Sequence, residues 1–314
     1  MFKKKQTPRR LGGEKTVKNI QFLALSIPTI LILIAFSYIP MFGLVLPFKN
    51  YKVTDGIWGS DWASPLFKNF EFFFKSKNAG RVIRNTLGLN ILFIVTSTVC
   101  AVAFALLMFE VKKPRHVKLY QTFAILPSFL SWVAVSYIVY GLLETDKGIL
   151  NKLIISLGGS KINWYNKPGL WPAILAFVSI WHDVGLSSII YYAALMGIDN
   201  SLFEAAEMDG AKKWGKIWNV SIPQLVPIIT MMTILKIGGI FRSDFGLFYN
   251  VTRNVGVLYP TTDVMDTFVY RALLDSGNIG MSSAASFIQS IVCFVTITLA
   301  NTVVKKIDKE KALF

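Results

Sequence analysis

Glu204-Ala205-Ala206-Glu207-Met208-Asp209-Gly210-Ala211, followed by Ile222-Pro223 and then Pro227, is a short polar segment between two long apolar runs. It reads as two small helices meeting at a glycine. Ser201 is placed to cap the first helix, and Glu204, three residues on, to return a hydrogen bond to the cap backbone. Asp209-Gly210 ends that helix, because glycine accepts the left-handed backbone of a helix exit. Ala211 to about Val220 makes the second helix, and Pro223 fits the first turn of the apolar run that follows.

The apolar runs identify the class of protein. The chain has 314 residues, 53% of them hydrophobic and 16% charged, with a mean hydropathy of +0.50. Soluble domains carry about 25% charged residues, and here the deficit falls in blocks. A spanning helix needs about 20 mostly apolar residues. Six stretches qualify: about 20–46, 86–109, 119–143, 171–197, 222–241 and 283–304. The expectation is an all-α, polytopic membrane protein. It has a basic tail at 1–19, a first transmembrane helix at 20–46, an external loop at 47–85, a five-helix core at 86–304 containing the polar loop 198–221, and a tail at 305–314. The first span is too long for a signal-peptide core and lacks a small-residue cleavage site, so it reads as a retained anchor.

Charge sets the expected orientation. Lys3, Lys4, Lys5, Arg9, Arg10, Lys15 and Lys18 precede the first span, and Lys305, Lys306, Lys309 and Lys311 follow the last. With both ends and the loops 110–118 and 198–221 inside, 18 Lys and Arg lie in about 62 cytoplasmic residues, against 14 in about 107 external ones. The positive-inside rule favours that topology. The net charge of +15 suits anionic lipid headgroups. No basic stripe on a soluble recognition fold points to nucleic acid.

Three external segments have their own character. Asn69 to Lys77, rich in Phe, reads as a helix in the outer interface. The loop 144–170, with Gly158-Gly159 and Trp164-Tyr165, reads as turns with an aromatic edge, and 242–281 has room for a re-entrant or surface helix around Thr261–Leu274. No GxxxxGK[ST] phosphate loop occurs, and Gly158-Gly159-Ser160-Lys161 is too short for one. The two histidines, His116 and His182, form no HExxH, and no GxSxG elbow is present. Cys100 and Cys293 fall inside spans and read as buried thiols.

Glu204, Ala205, Ala206, Asp209, Gly210, Ala211, Ile222 and Pro223 match, in order, the EAA loop of binding-protein-dependent permeases of ABC importers. Asn85-Thr86 opens the second span as it commonly does in that superfamily. Leu126-Pro127-Ser128-Phe129-Leu130-Ser131-Trp132, Asp146-Lys147-Gly148-Ile149-Leu150-Asn151, Trp181-His182-Asp183-Val184-Gly185 and Ile190-Tyr191-Tyr192-Ala193-Ala194-Leu195 resemble the LplB-like polysaccharide and oligosaccharide permeases. The resemblance covers about 20–306. It implies the MetI-like fold of type I importers in a bacterial cell membrane, a second six-helix permease subunit, an ABC ATPase pair that binds ATP and Mg, and an extracytoplasmic sugar-binding lipoprotein. No cofactor is implied for this chain.

On that reading, Glu204, Ala205, Ala206, Asp209, Gly210, Ala211 and Trp214 form the surface that couples to the ATPase, with Phe203 and Trp218 as further apolar anchors. Trp214 and Trp218 suit the lipid interface as well, and Glu204 suits a cap, so these alternatives stay open. His182 and Asp183 fall near the middle of the fourth span and Lys236 near the middle of the fifth. A charge there costs about 2.5–3.5 kcal/mol on insertion scales unless it pairs or meets water. Asp183 and Lys236 are therefore expected to face each other or a wet cavity. Trp132, Tyr137, Tyr140, Trp181 and Tyr191 are candidates for sugar C–H faces and hydroxyls, with packing as their other reading. A non-sugar solute such as an amino acid, osmolyte or phosphate stays open, as does a membrane-embedded scaffold or enzyme that retains the loop.

Overall fold

The computed structural model describes residues 11–308. Lys3, Lys4, Lys5, Arg9, Arg10, Lys309 and Lys311, counted above as inside charges, lie outside the described residues. Among the described residues there is no strand beyond an isolated bridge between Lys49 and Trp62. Helix α1 (Leu11–Leu33) continues through a π turn, Ile34–Tyr38, into a 3-10 stretch, Ile39–Phe48. Then follow α2 (Lys68–Lys75), α3 (Ala79–Phe109), α4 (Pro114–Ile125), α5 (Trp132–Leu143), α6 (Trp171–Met196), α7 (Asn200–Met208), α8 (Lys213–Lys216), α9 (Ile222–Gly238), α10 (Met265–Ser276) and α11 (Ile279–Ile307).

Among the described residues, five helical stretches are long and apolar enough to cross a membrane: Phe22–Phe48, Ala79–Phe109, Pro168–Met196, Lys213–Gly238 and Ile279–Lys306. The expected third span, 119–143, is not one rod. Pro114–Phe129 and Trp132–Leu143 meet at 99°. Pro127 lacks the N–H that would continue the α-helical bonding. The chain tightens into a 3-10 turn at Leu126–Phe129 and leaves through extended Leu130 and Ser131, whose hydroxyl accepts from Ala134 N–H at 3.3 Å to start α5.

Small residues set the helix spacing. α3 packs along α6, with Ala101 and Ala105 fully buried beside Tyr191, Leu195 and Leu225. Without a strong hydrophobic drive between helices in lipid, close backbone approach supplies much of the packing. Gly185 of α6 is the tightest such point: a Cβ there would lie 2.0 Å from the Ala124 carbonyl oxygen on α4. A second core joins Leu89, Val135, Val139, Leu143, Trp171, Leu175, Leu247, Phe248 and Val251.

The segment between the fifth and sixth spans is folded into this core rather than lying on it. Its helix is Met265–Ser276, a few residues beyond the expected 261–274. Thr86 Oγ accepts from Met265 N–H at 2.9 Å, and Asn85 donates to Pro260 O at 3.2 Å, so the Asn-Thr pair that begins the expected second span anchors this helix. Trp164 and Tyr165 are not an edge. They pack against this second core, with Tyr165 donating to Val251 O at 3.3 Å. Burial pushes the Tyr165 hydroxyl up to about 12, so it stays a donor at neutral pH. The interfacial α2 is tied back by buried Asn69, which donates to Pro47 O and Lys49 O, both at 2.9 Å.

Candidate functional site

The polar loop is built differently at its start from the sequence expectation. The cap of α7 is Asp199, not Ser201: the Asp199 carboxylate accepts from Ser201 N–H at 3.0 Å, a bond that holds it below the usual carboxylate range. Asp is as good a cap as Ser and lies where the chain is still extended. Glu204 closes no capping box; it accepts from Asn200 Nδ2 at 2.7 Å. The helix end agrees with the sequence. Gly210 has φ +81, Gly210 N–H donates to Glu207 O at 3.0 Å, and Ala211 N–H donates to Ala206 O at 2.9 Å. That pair of bonds is the Schellman motif, which closes the orphan carbonyls of the last turn.

The expected second helix, Ala211–Val220, is not separate. α8 starts at Lys213 and runs through a π turn, Ile217–Ser221, into α9. Pro223 therefore sits inside a continuous helix. The wider turn just ahead of it relieves the clash its ring makes with the preceding turn. The loop is thus a single helix hinged at Gly210 and joined to a fifth span that extends into the loop segment. Glu207 bonds Lys216 at 2.6 Å, which holds its carboxyl below the usual range, and Lys213 lies 3.7 Å from Glu110 of the turn after α3. A carboxylate so lowered keeps its bracing at neutral pH and loses it only as pH falls through the lowered value. Phe203 packs against Phe109 in a tilted pair at 5.6 Å between ring centres, which ties the loop to α3. Trp214 (72% exposed), Trp218 and Met208 remain outward.

The break in the third span assembles a second cluster. Ser128 Oγ donates to His182 O at 2.6 Å, and His182 Nε2 donates to Leu130 O at 3.1 Å. His182 thereby satisfies backbone freed by the bend, which irregular structure at membrane depth requires. Its Nδ1 lies 2.7 Å from Asp183 Oδ1. Trp132 stacks on the His182 ring at 4.2 Å and donates from Nε1 to Asp244 Oδ2 at 2.8 Å. Gly246 lets the indole in: a Cβ there would lie 2.2 Å from its Cδ1.

Asp183 and Lys236 do not form an ion pair. Lys236 Nζ donates to Ser97 Oγ at 2.9 Å and Thr98 Oγ1 at 3.3 Å on α3. Asp183 turns to His182 because that neighbour is adjacent in sequence and reachable without crossing the bundle. Lys236 opens instead on a cavity of about 210 Å³, lined also by Asn90, Phe93, Ile94, Ser97, Gly239, Ile240 and Arg242. Lys236 thus faces a cavity and Asp183 does not line it.

The remaining candidates scatter. Tyr191 is buried and hydrogen-bonded to Thr98, which Lys236 also contacts. Tyr140 stands under the Arg253 guanidinium at 4.2 Å. Tyr137 is 66% exposed and Trp181 36%. Sequence reasoning missed Asn90, Ser97, Thr98, Asp244 and Gln289. Asn90 and Gln289 carried a usable signal, since amides inside an apolar span mark internal contacts. Asn90 donates to Ile240 O at 2.8 Å, pinning the exit of α9.

The pattern that defines binding-protein-dependent transport system inner membrane components matches residues 88–309. The chain is 33% identical to Protein LplB of Bacillus subtilis over 286 residues, covering 91% of this chain and 89% of that protein. It is 32% identical to the polygalacturonan/rhamnogalacturonan transport system permease protein YteP of Bacillus subtilis, covering 99% and 95%. Among solved structures, a chain of a bacterial alginate ABC transporter, in complex with an alginate pentasaccharide-bound periplasmic protein, superposes with a TM-score of 0.83 at 29% identity, covering 94% of this chain and 98% of that one. With five spanning helices, a broken sixth and the glycine-ended EAA loop in place, the chain belongs to the family of binding-protein-dependent transport system inner membrane components, the permease subunits of ABC importers.

Proposed function

We propose that this permease is one half of a pore that imports oligosaccharides, driven by a separate ATPase pair through the loop between α6 and α8. The carrying observation is likeness along nearly the whole length to a permease named for polygalacturonan and rhamnogalacturonan and to a transporter of alginate. In this reading the ATPases bind ATP and Mg, a second six-helix subunit completes the pore, and an extracytoplasmic sugar-binding lipoprotein delivers the substrate. The first span, exposed along most of its length, offers an apolar face to the second subunit or to lipid.

The loop suits force transmission. Glu204, Ala205, Ala206, Asp209, Gly210 and Ala211 form a stiff helix and its closing turn, while Trp214 stands outward on the helix that becomes the fifth span. A push on α7 at the ATPase passes through the Glu207–Lys216 bond into that span, and the bundle rocks between inward-open and outward-open states. His182, Asp183, Trp132 and Lys236 are the substrate-path residues best supported by geometry. Tyr191 supports Thr98 behind them; Tyr137, Tyr140 and Trp181 are weaker candidates because they lie apart.

Uptake of a panel of labelled oligosaccharides tests the reading. The expected result is accumulation of at least one oligosaccharide, dependent on this chain. Uptake confined to an amino acid, osmolyte or phosphate would replace it. Orientation is tested separately, with N- and C-termini taken as cytoplasmic. A cysteine at Ser160 should react with an impermeant thiol reagent in intact cells, and one at Lys212 only after permeabilisation. The opposite pattern would invert the topology.

A further inference from the structure

We propose that the cavity between α3 and the end of α9 receives a sugar carboxylate, held by Lys236 and Arg242, so that the imported saccharide is acidic. This inference rests on the reading of the chain as a saccharide permease and names the substrate class of the same path. Two cations line one small cavity. Lys236 Nζ is bonded to the hydroxyls of Ser97 and Thr98. Arg242 Nη2 is bonded to Ser290 Oγ at 3.2 Å. Among the described residues no carboxylate oxygen lies within 4.0 Å of either cation.

The nearby acids are occupied elsewhere, and none lines this cavity. Asp183 Oδ1 lies 2.7 Å from His182 Nδ1 and turns to that ring rather than to Lys236. Asp266 faces Arg242 from α10 but accepts from Ser243 N–H at 2.7 Å and from Gln289 at 3.2 Å. Asp244 accepts from Trp132 and from Leu247 N–H at 3.1 Å. Cations at membrane depth persist where they meet water, a partner or a ligand. Neutral sugar hydroxyls are served by amides and hydroxyls such as Asn90 and Ser97, and need no full charge. A carboxylate does match two cations lining one cavity, and a guanidinium can grip it with two parallel hydrogen bonds. Phe93 supplies an apolar wall for a ring face. The volume of about 210 Å³ has room for several waters or one such group.

The test uses the assembled transporter with its binding protein in proteoliposomes. The probes are labelled tetragalacturonate and its methyl ester, which is the same chain without charge. Uptake is scored per loaded binding protein, measured in parallel, so that delivery and passage are separated. Wild type is expected to carry the acid at least ten-fold faster than the ester. Lys236→Met and Arg242→Gln are each expected to lower uptake of the acid at least ten-fold at equal membrane level, and Lys236→Arg to retain most of it. Equal passage of acid and ester in wild type overturns the inference without needing any variant to fold. So does wild-type uptake of a neutral oligosaccharide with none of the acid, which leaves the saccharide reading intact. Passage of no saccharide at all overturns that reading and the inference with it.

Discussion

Replacing Gly185 by Val is expected to remove most of the protein from the membrane. A Cβ at this position would lie 2.0 Å from Ala124 O, 2.2 Å from Ala124 C and 2.7 Å from Ile125 N. These are backbone atoms of α4, so no rotamer change relieves the overlap. α4 cannot retreat either, because the bend after it is held to α6 by the Ser128 and His182 hydrogen bonds. Overpacking of a fitted interior typically costs about 1–3 kcal/mol, and here the helix–helix contact itself must open. Immunoblots of membranes and melting of the detergent-solubilised protein give the readout. Gly88→Ala is the matched control, because the space around Gly88 is open and Ala favours helix by about 1 kcal/mol over Gly. A Gly185→Val protein at normal level with an unchanged melting point would mean that α4 and α6 do not meet this closely.

Gly210→Val is expected to act in the opposite way, leaving the protein in the membrane and abolishing uptake. Nothing lies within 4 Å of a Cβ built at Gly210, so the substitution meets no clash within the chain. The cost comes from φ +81, a left-handed conformation that disfavours L-residues by about 1–2 kcal/mol and β-branched ones most. The cheaper outcome is an opened Schellman turn, which frees α7 from its fixed angle to α8. A lever that swivels transmits no stroke. Asn tolerates this backbone better than Ala or Val, so uptake should fall in the order Gly, Asn, Ala, Val, with Val more than ten-fold below wild type. Co-purification of the ATPase should weaken in the same order. Wild-type uptake by the Val variant would show that the loop does not couple through a rigid turn.

Much of this molecule was legible in its residues because the governing physics is local. Hydrophobic runs of about 20 residues must cross a bilayer or bury themselves, so the all-α polytopic class and the placement of the spans followed from composition along the chain. The Gly210 helix exit followed from backbone sterics of one residue. The EAA spacing carried the family. Where the sequence reading failed, several competing solutions were locally equivalent. Asp199 and Ser201 are both sound caps, and only the path of the chain leaving α6 put Asp199 at the boundary. Pro223 suits either a first turn or a π-widened interior, and the continuity of α8 with α9 chose the second. Residues 119–143 are apolar enough for one rod, yet Pro127 and the waiting acceptors and donors of His182 made two half-helices at 99° the structure that satisfies the backbone.

The partners of charged groups belonged wholly to tertiary structure. The sequence determined that Asp183 and Lys236 lie deep and must be compensated, since an unpaired charge in lipid is expensive. It could not say by what. Hydrogen bonds act over about 3 Å, so a choice among His182, Ser97, Thr98 and each other depends on helix rotation and crossing distance. Those are set by Ala101, Ala105 and Gly185 packing against other helices, contacts that join residues far apart in the chain and that no local pattern encodes.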